Sequence, residues 1–362
     1  MQDLLSLLPS ELESLLLSVG EPKYRAKQMF PQLHRGLSPE EMTNIGKATR
    51  EKLSTVAEYH LPQVRRRLVS AIDGTVKYLF ELRDGHCVES VVMKYNHGNT
   101  ICISSQVGCR MGCRFCASTI GGKVRDLLAG ELLGQVIAAR RDIGERIDNI
   151  VMMGIGEPLD NFDNVVQFLK LVAHPDGLNI GYRHISLSTC GVVPRIYELA
   201  ELDLPITLSI SLHASDDETR SSIMPVNKRW GVDELLDACK AYYDKTGRRL
   251  SFEYTLIAGK NDTPAQATGL ANVLNRHLRT RDTTMPIHVN LIPVNEVTET
   301  GFTRSSAEAI KAFAATLEKK GIRATVRRTL GADINASCGQ LRREDAEGEN
   351  AGNAGNARGV AP

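Results

Sequence analysis

ICISSQVGCRMGCRFCAS, residues 101–118, holds the densest pattern in the chain. At its centre Cys109-Arg110-Met111-Gly112-Cys113-Arg114-Phe115-Cys116 spaces three cysteines as C-x3-C-x2-C on one short loop. Thiolates are the usual ligands of iron–sulfur clusters, and a loop this compact can wrap one [4Fe-4S] cube. Three thiolates on four irons leave one iron open to chelate a small molecule. A structural zinc site would pair C-x2-C with a second pair of Cys or His downstream. No such pair follows, and the nearest histidines, His86 and His97, lie upstream without ligand spacing. Cys109, Cys113 and Cys116 are therefore read as cluster ligands.

Downstream of the triplet, from about 105 to 341, apolar strand-like runs alternate with helical periodicity. The runs at 148–153, 183–189, 205–211, 250–257, 287–293 and 322–327 predict strands, and 127–146, 161–173, 194–202, 232–246, 263–279 and 305–320 predict helices. Strands separated by helices imply a parallel sheet, closed or partly closed into a barrel, with its chemistry on the loops after the strand C-termini. The expected class is α/β, a partial parallel (β/α)6 TIM-like barrel over 105–342.

Upstream, QVRRRLVSAI, TVKYLFEL, HCVESVVMK and TICISS predict a β extension over 63–104, with turns at Asp73-Gly74 and Asp84-Gly85. Residues 1–62 predict a small helical domain, with a helix start at Ser38-Pro39-Glu40-Glu41. The end of the chain, 343–362, is rich in Gly, Ala and Asn and predicts a disordered tail.

The 362 residues are 42% apolar and 24% charged, which suits a globular chain with a sizeable core. The opening MQDLLSLLPSELESLLLSVG has no basic leader, and Asp3, Glu11 and Glu13 interrupt it, so it reads as an amphipathic helix rather than a signal peptide. No apolar run is long enough for a bilayer. These readings predict a cytoplasmic protein with no membrane partner, and eight cysteines there point to metal or redox chemistry rather than a disulfide scaffold. A formal charge of +1 excludes a global field for nucleic acid, leaving local basic patches to contact RNA.

Gly154-Ile155-Gly156-Glu157-Pro158 follows a predicted strand; alone it is as well a tight turn. Ser188 in LSTCG, Ser211-Leu212-His213 in ISLHAS and Asn295 in LIPVN stand at predicted strand ends, where a turn or cap role is commoner than a ligand contact. Cys102 and Cys338 would not stand out by spacing, since a lone cysteine is usually a small buried hydrophobe.

Taken in order, ICISSQVGCRMGCRFCAS, GIGEPLDN, LSTCGVVP, SLHA, MPVNK and ASCGQLR resemble the RlmN family of the radical S-adenosylmethionine superfamily. EPKYRAKQMF and EMTNIGKATREKL near the N-terminus add to the match. The resemblance implies a radical S-adenosylmethionine barrel and contacts to that cofactor from Gly156, Glu157, Ser188, Ser211, Leu212, His213 and Asn295. It implies S-adenosyl-L-methionine in two roles, one molecule methylating Cys338 and a second cleaved to a 5′-deoxyadenosyl radical that activates the S-methyl group. Carbon 2 of adenine is an electron-poor ring carbon that ordinary methyl displacement cannot reach. The implied route instead joins it to the Cys338 methylene, with Glu89 as proton acceptor and Cys102 releasing the product as a transient disulfide. The implied substrates are 23S rRNA, in its peptidyl-transferase region, and tRNA, in its anticodon loop. An electron donor such as flavodoxin or ferredoxin is implied, and a monomer is expected.

Lys23, Arg25, Lys27, His34, Arg35, Lys47, Arg50 and Lys52 make the N-terminal helices basic, which by itself reads as a solvated face; with Arg65, Arg66, Arg67, Arg110, Arg114, Lys123, Arg125, Arg327 and Arg328 they are the candidate phosphate contacts. The target base would be flipped out of its stack to reach a barrel interior. Cys87, Cys190 and Cys239 match no functional position and read as core fillers, Cys190 lying near enough to Ser188 to face the cavity. Two rivals remain: the relative Cfr, which methylates carbon 8 of the same adenosine, and a zinc-dependent RNA-binding module without catalysis.

Overall fold

The computed structural model describes residues 1–279, 285–295 and 301–336. The N-terminal unit runs through β1 (Gln2–Asp3), α1 (Pro9–Ser18), α2 (Tyr24–Leu33), α3 (Lys47–Ser54) and β2 (Ala57–Glu58), with β2 parallel to β1. Leucines of the opening segment sort by helical spacing: Leu12, Leu15 and Leu16 of α1 are buried, as are Met29, Phe30 and Leu33 of α2. The start expected at Ser38–Glu41 is a single 3-10 turn. Glu41 does accept from the Ser38 N–H at 2.7 Å, but the chain then turns inward to bury Met42 and Ile45 completely. Ser6 ties this unit to the barrel by accepting a hydrogen bond from Gly130 N at 2.7 Å.

The β extension comprises β3 (Gln63–Val69), β4 (Val76–Glu81) and β5 (Cys87–Tyr95), all antiparallel, and β6 (Gly98–Cys102) follows. Both expected Asp-Gly turns connect these strands. β6, read from sequence as the end of the extension, is antiparallel to β5 but parallel to β9 (Asn149–Met152). It is the strand that turns the extension into the barrel. β7 (Gln106–Gly108) and β8 (Lys123–Asp126) pair separately and bracket the cysteine loop.

Six strand–helix units then run from β6 with α4 (Ala129–Ile143) and β9 with α5 (Phe162–Ala173) to β10 (Ile185–Thr189) with α6 (Val193–Glu201). β11 (Thr207–Ser211) is followed by the short α7 (Asp217–Ile223) and by α8 (Val232–Thr246). β12 (Leu250–Leu256) with α9 (Pro264–Leu278) and β13 (His288–Pro293) with α10 (Ala307–Lys319) lead to β14 (Arg323–Val326). Among the described residues, ten strands form one sheet in the order β14-β13-β12-β11-β10-β9-β6-β5-β4-β3. The parallel part is the partial barrel that the alternation predicts.

Helix starts follow local chemistry. Thr263 and Gln266 cap α9 reciprocally with Pro264 in its first turn, and Ser306 accepts from Ala309 N at the start of α10. Side-chain alternation divides the barrel. Ile185 and Leu187 of β10 and Leu208 and Ile210 of β11 pack in the main core, while Ser186 meets Ser209 at 3.0 Å and Ser188 meets Ser211 at 3.5 Å across the strands.

Candidate active site

The cysteine loop hangs between β7 and β8. Gly108 has φ +78, and a Cβ there would lie 1.9 Å from the Gly122 carbonyl oxygen, which itself accepts from Cys109 N at 3.0 Å. Only glycine lets the two ends of the loop close this tightly. Inside the loop Cys116 N donates to the Cys113 carbonyl at 3.1 Å, and Thr119 Oγ1 donates to the carbonyls of both. Arg114 N donates to Ile223 O at 2.9 Å, tying the loop to α7, and Phe115 packs edge-on against His213.

Cys109, Cys113 and Cys116 all line one cavity of about 260 Å³ at the C-terminal ends of the barrel strands. Among the described residues no three His, Cys, Asp or Glu side chains converge as they would around one metal ion. A four-iron cube instead needs its three thiolates spread around a larger body, and the donor set fits that group. Burial pushes the Cys109 thiol up to about 12 and the Cys113 thiol higher than usual, with Glu157 and the neighbouring cysteines adding to the shift. Loading iron therefore requires displacing thiol protons.

The loop after β9 forms the next wall. Gly156 has φ +107, and a Cβ there would meet Gln106 N at 2.7 Å and Ser105 Oγ at 2.7 Å. This close approach aims Glu157 across the floor. Glu157 is buried; its Oε1 accepts from Leu159 N at 3.0 Å and its Oε2 from Cys190 N at 2.7 Å. Burial raises its pKa, opposed by these backbone hydrogen bonds.

Ser188, Ser211, His213 and Asn295 join Gly156 and Glu157 around the same cavity. His213 takes a left-handed conformation with φ +59. Its Nδ1 accepts from Thr255 N at 2.9 Å, which leaves the proton of the neutral ring on Nε2. Burial and then Arg220 depress its pKa to about 3, so the ring is uncharged at neutral pH. Leu212 does not line the cavity. Alternation along the chain sends its side chain into the main core, and its carbonyl accepts from Arg220 Nε at 2.9 Å.

Two residues escaped the sequence reading. Arg220, wholly buried, donates to the carbonyls of Leu212, Cys190 and Ser211 and to Asn227 Oδ1, joining the ends of β10 and β11. Glu253 lines the cavity and accepts from Asn290 Nδ2 at 2.7 Å and Ser251 Oγ at 3.1 Å. Strict alternation along LSFEYTL would have placed Ser251, Glu253 and Thr255 on one lumen-facing side.

A second chamber of about 140 Å³ adjoins the first through Met153, Ile292, Asn295 and Arg327. Cys102, Val91, Met93 and Ala336 line it. Cys102 pairs in register with Val91, placing both on one sheet face. Glu89 precedes Val91 by two residues, hence on that face too. It is buried and pairs with Lys77 Nζ at 3.1 Å. Cys338 lies outside the described residues. Cys239 and Cys87 are buried among apolar side chains, whereas Cys190 lines the first cavity.

Several candidate phosphate contacts have partners within the chain. Arg125 pairs with Glu131 and Asp84, Lys123 with Asp126 and Asp160, and Arg110 with Asp160. These pairs brace the cysteine loop.

Comparison with known proteins matches residues 103–269 to the radical SAM superfamily and residues 2–59 to the ribosomal RNA large subunit methyltransferase N-terminal domain. A protein of Clostridium acetobutylicum named "Probable dual-specificity RNA methyltransferase RlmN" is 51% identical over 353 residues, covering 96% of this chain and 100% of that protein. One of the same name from Alkaliphilus oremlandii is 52% identical, covering 94% and 98%. The crystal structure of a radical SAM methyltransferase from Sphaerobacter thermophilus superposes with a TM-score of 0.87 at 41% identity, covering 94% of this chain and 99% of that one. With the three-cysteine loop at the mouth of a partial barrel and this likeness along nearly its whole length, the chain belongs to the RlmN family of radical S-adenosylmethionine methyltransferases.

Proposed function

We propose that the chain methylates carbon 2 of adenosine in RNA, acting on the peptidyl-transferase region of 23S rRNA and on the anticodon loop of tRNA. The observation that carries this reading is the pair of adjoining chambers, one ringed by Cys109, Cys113 and Cys116 and the other lined by Cys102. The relatives' printed name supports an RNA substrate with two specificities, and the matched N-terminal family is named for large-subunit ribosomal RNA.

The cluster and S-adenosylmethionine, when bound, supply the one-electron chemistry needed to activate an S-methyl group. Glu157, Gly156, Ser188, Ser211 and His213 bind and orient the cofactor, His213 offering its Nε2 proton as a donor, with Asn295 at the passage between chambers. Leu212 contributes its backbone alone. Cys338 carries the methyl group to be transferred. Glu89 accepts the ring proton at its carboxylate, and Cys102 then attacks the Cys338 sulfur, freeing the methylated RNA. An external one-electron donor of the flavodoxin or ferredoxin kind completes the cycle.

The test is anaerobic reconstitution with iron and sulfide, then reaction with S-adenosylmethionine, reductant and either 23S rRNA or tRNA. Nucleoside mass spectrometry is expected to find 2-methyladenosine from both. Methyl on carbon 8 refutes the carbon-2 reading, and unmodified tRNA refutes dual specificity.

A further inference from the structure

Lys77 belongs to none of the motifs, yet it is a fully buried lysine at the edge of the second chamber's sheet face. In strand register Lys77 stands opposite Val91, Val91 opposite Cys102, and Cys102 opposite Val151. One row thus crosses β4, β5, β6 and β9 with its side chains on a common face. Glu89 is the diagonal neighbour of Lys77 on that face, within reach of a long side chain. The Lys77 ammonium lies 3.1 Å from Glu89 Oε2.

The same ammonium donates to the Asn335 carbonyl at 2.8 Å. Asn335 stands three residues before Cys338 and has φ +45, an uncommon conformation for a residue with a side chain. The chain around it is pinned to the β3–β4 turn at further points. Gly331 N donates to Asp73 Oδ2 at 2.8 Å, while Asp333 accepts from Ser70 Oγ at 2.6 Å and Ala71 N at 2.8 Å. Leu330 and Ala336 pack over Val91, Met93 and Cys102. The hairpin is therefore a cradle for the stretch that runs into Cys338, and Lys77 joins that cradle to Glu89.

Stability alone is a poor reason for this arrangement. Removing an ammonium and a carboxylate from water costs several kcal/mol per ion, and apolar residues of similar volume often serve stability as well. A shared cation does what an apolar pair does not: it fixes two acceptors relative to one another.

We propose that Lys77 is a positioning residue for methyl transfer, holding the Glu89 carboxylate and the chain entering Cys338 in one arrangement through a single ammonium. The inference rests on the roles proposed above for Glu89 and Cys338.

The test uses the full-length, cluster-loaded protein with two readouts. S-methylation of Cys338 by S-adenosylmethionine, read as peptide mass without reductant, needs the loop in place but no ring-proton acceptor. RNA methylation under reducing conditions needs both. Glu89→Gln is expected to keep S-methylation and lose RNA turnover, with a covalent RNA–protein adduct accumulating. Lys77→Met is expected to slow S-methylation as well, by roughly tenfold or more, since small misplacements of reacting groups are costly. Lys77→Arg is expected to restore part of it.

Lys77→Met leaves a buried carboxylate uncompensated and can fail to fold. The double variant Lys77→Met/Glu89→Gln removes both charges together, and its S-methylation rate set against Glu89→Gln alone isolates the Asn335 contact. A double variant that methylates Cys338 as fast as Glu89→Gln overturns the proposal. So does a folded Lys77→Met protein that behaves as Glu89→Gln does in both readouts. Full RNA turnover in Glu89→Gln overturns the carboxylate arm and, separately, the proton-acceptor role proposed for Glu89. Undiminished RNA methylation by a Cys338→Ala protein would instead defeat the role given to Cys338.

Discussion

Replacing Glu157 by glutamine separates what its carboxylate does for the fold from what it does for the cofactor. Both oxygens accept backbone N–H groups in a buried site, from Leu159 at 3.0 Å and Cys190 at 2.7 Å. Glutamine has one acceptor oxygen, so its amide nitrogen must face one of these donors. One buried donor left unpaired costs about 1–3 kcal/mol, which predicts a lower unfolding midpoint in urea. The carboxylate also lines the cavity, where it can accept from the ammonium group of a bound cofactor. Losing a hydrogen bond to a charged group costs about 1.5–3 kcal/mol, or roughly 10- to 150-fold in affinity. The assay is equilibrium dialysis of labelled S-adenosylmethionine on reconstituted protein, with iron counted on the same samples. A fully iron-loaded Gln variant that binds as tightly as the parent would show that Glu157 caps the backbone and touches no ligand.

Gly108→Ala is expected to lower iron occupancy together with stability, because the left-handed backbone adds about 1–3 kcal/mol of strain and the new Cβ collides with Gly122 O; undiminished iron per chain would contradict this. Cys102→Ala is expected to trap the RNA–protein adduct, seen as a shifted band on a denaturing gel that nuclease removes, and normal release of methylated RNA would count against its role. The buried His213 ring, with its pKa depressed to about 3, stabilises the fold fully above its unfolded value near 6.5, and that contribution falls as the pH drops toward 3. Set against His213→Gln, the parent's stability margin should shrink by up to about 1.4 kcal/mol per pH unit between pH 6.5 and 5. A pH-independent margin in urea titrations would exclude the buried neutral imidazole.

The barrel was legible because its signals are local. Six apolar runs separated by helical stretches predict the strands from β9 to β14, and the cysteine triplet and the Gly156-Glu157 turn declare themselves by spacing and by glycine. What stayed hidden depends on register between distant segments. Leu212 is adjacent to Ser211 and His213 in sequence, yet its side chain goes to the core because neighbouring side chains point apart. Glu89 stands on a strand, where a carboxylate is ordinarily solvated, and the buried Lys77 across on β4 accounts for its burial. Arg220 looks like any arginine on a short polar helix, and only the convergence of three carbonyls from β10, β11 and their loops explains its burial.

The change of direction at β6 accounts for how one sheet can line both chambers. An antiparallel neighbour on one side and a parallel one on the other place Cys102 at the C-terminal end of a barrel strand, where the first cavity adjoins the second. The same register carries its side-chain face outward across Val91 to Lys77 and Glu89. Had β6 belonged to the extension alone, Cys102 would have been separated from the cysteine loop by a domain boundary. Because β6 is hydrogen-bonded on both edges, strand pairing fixes where Cys102 stands relative to the cysteine loop. A shift of one residue in either pairing would turn Cys102 to the helix side, so the placement of Cys102 in the second chamber and the joining of the extension to the barrel are specified by the same hydrogen bonds.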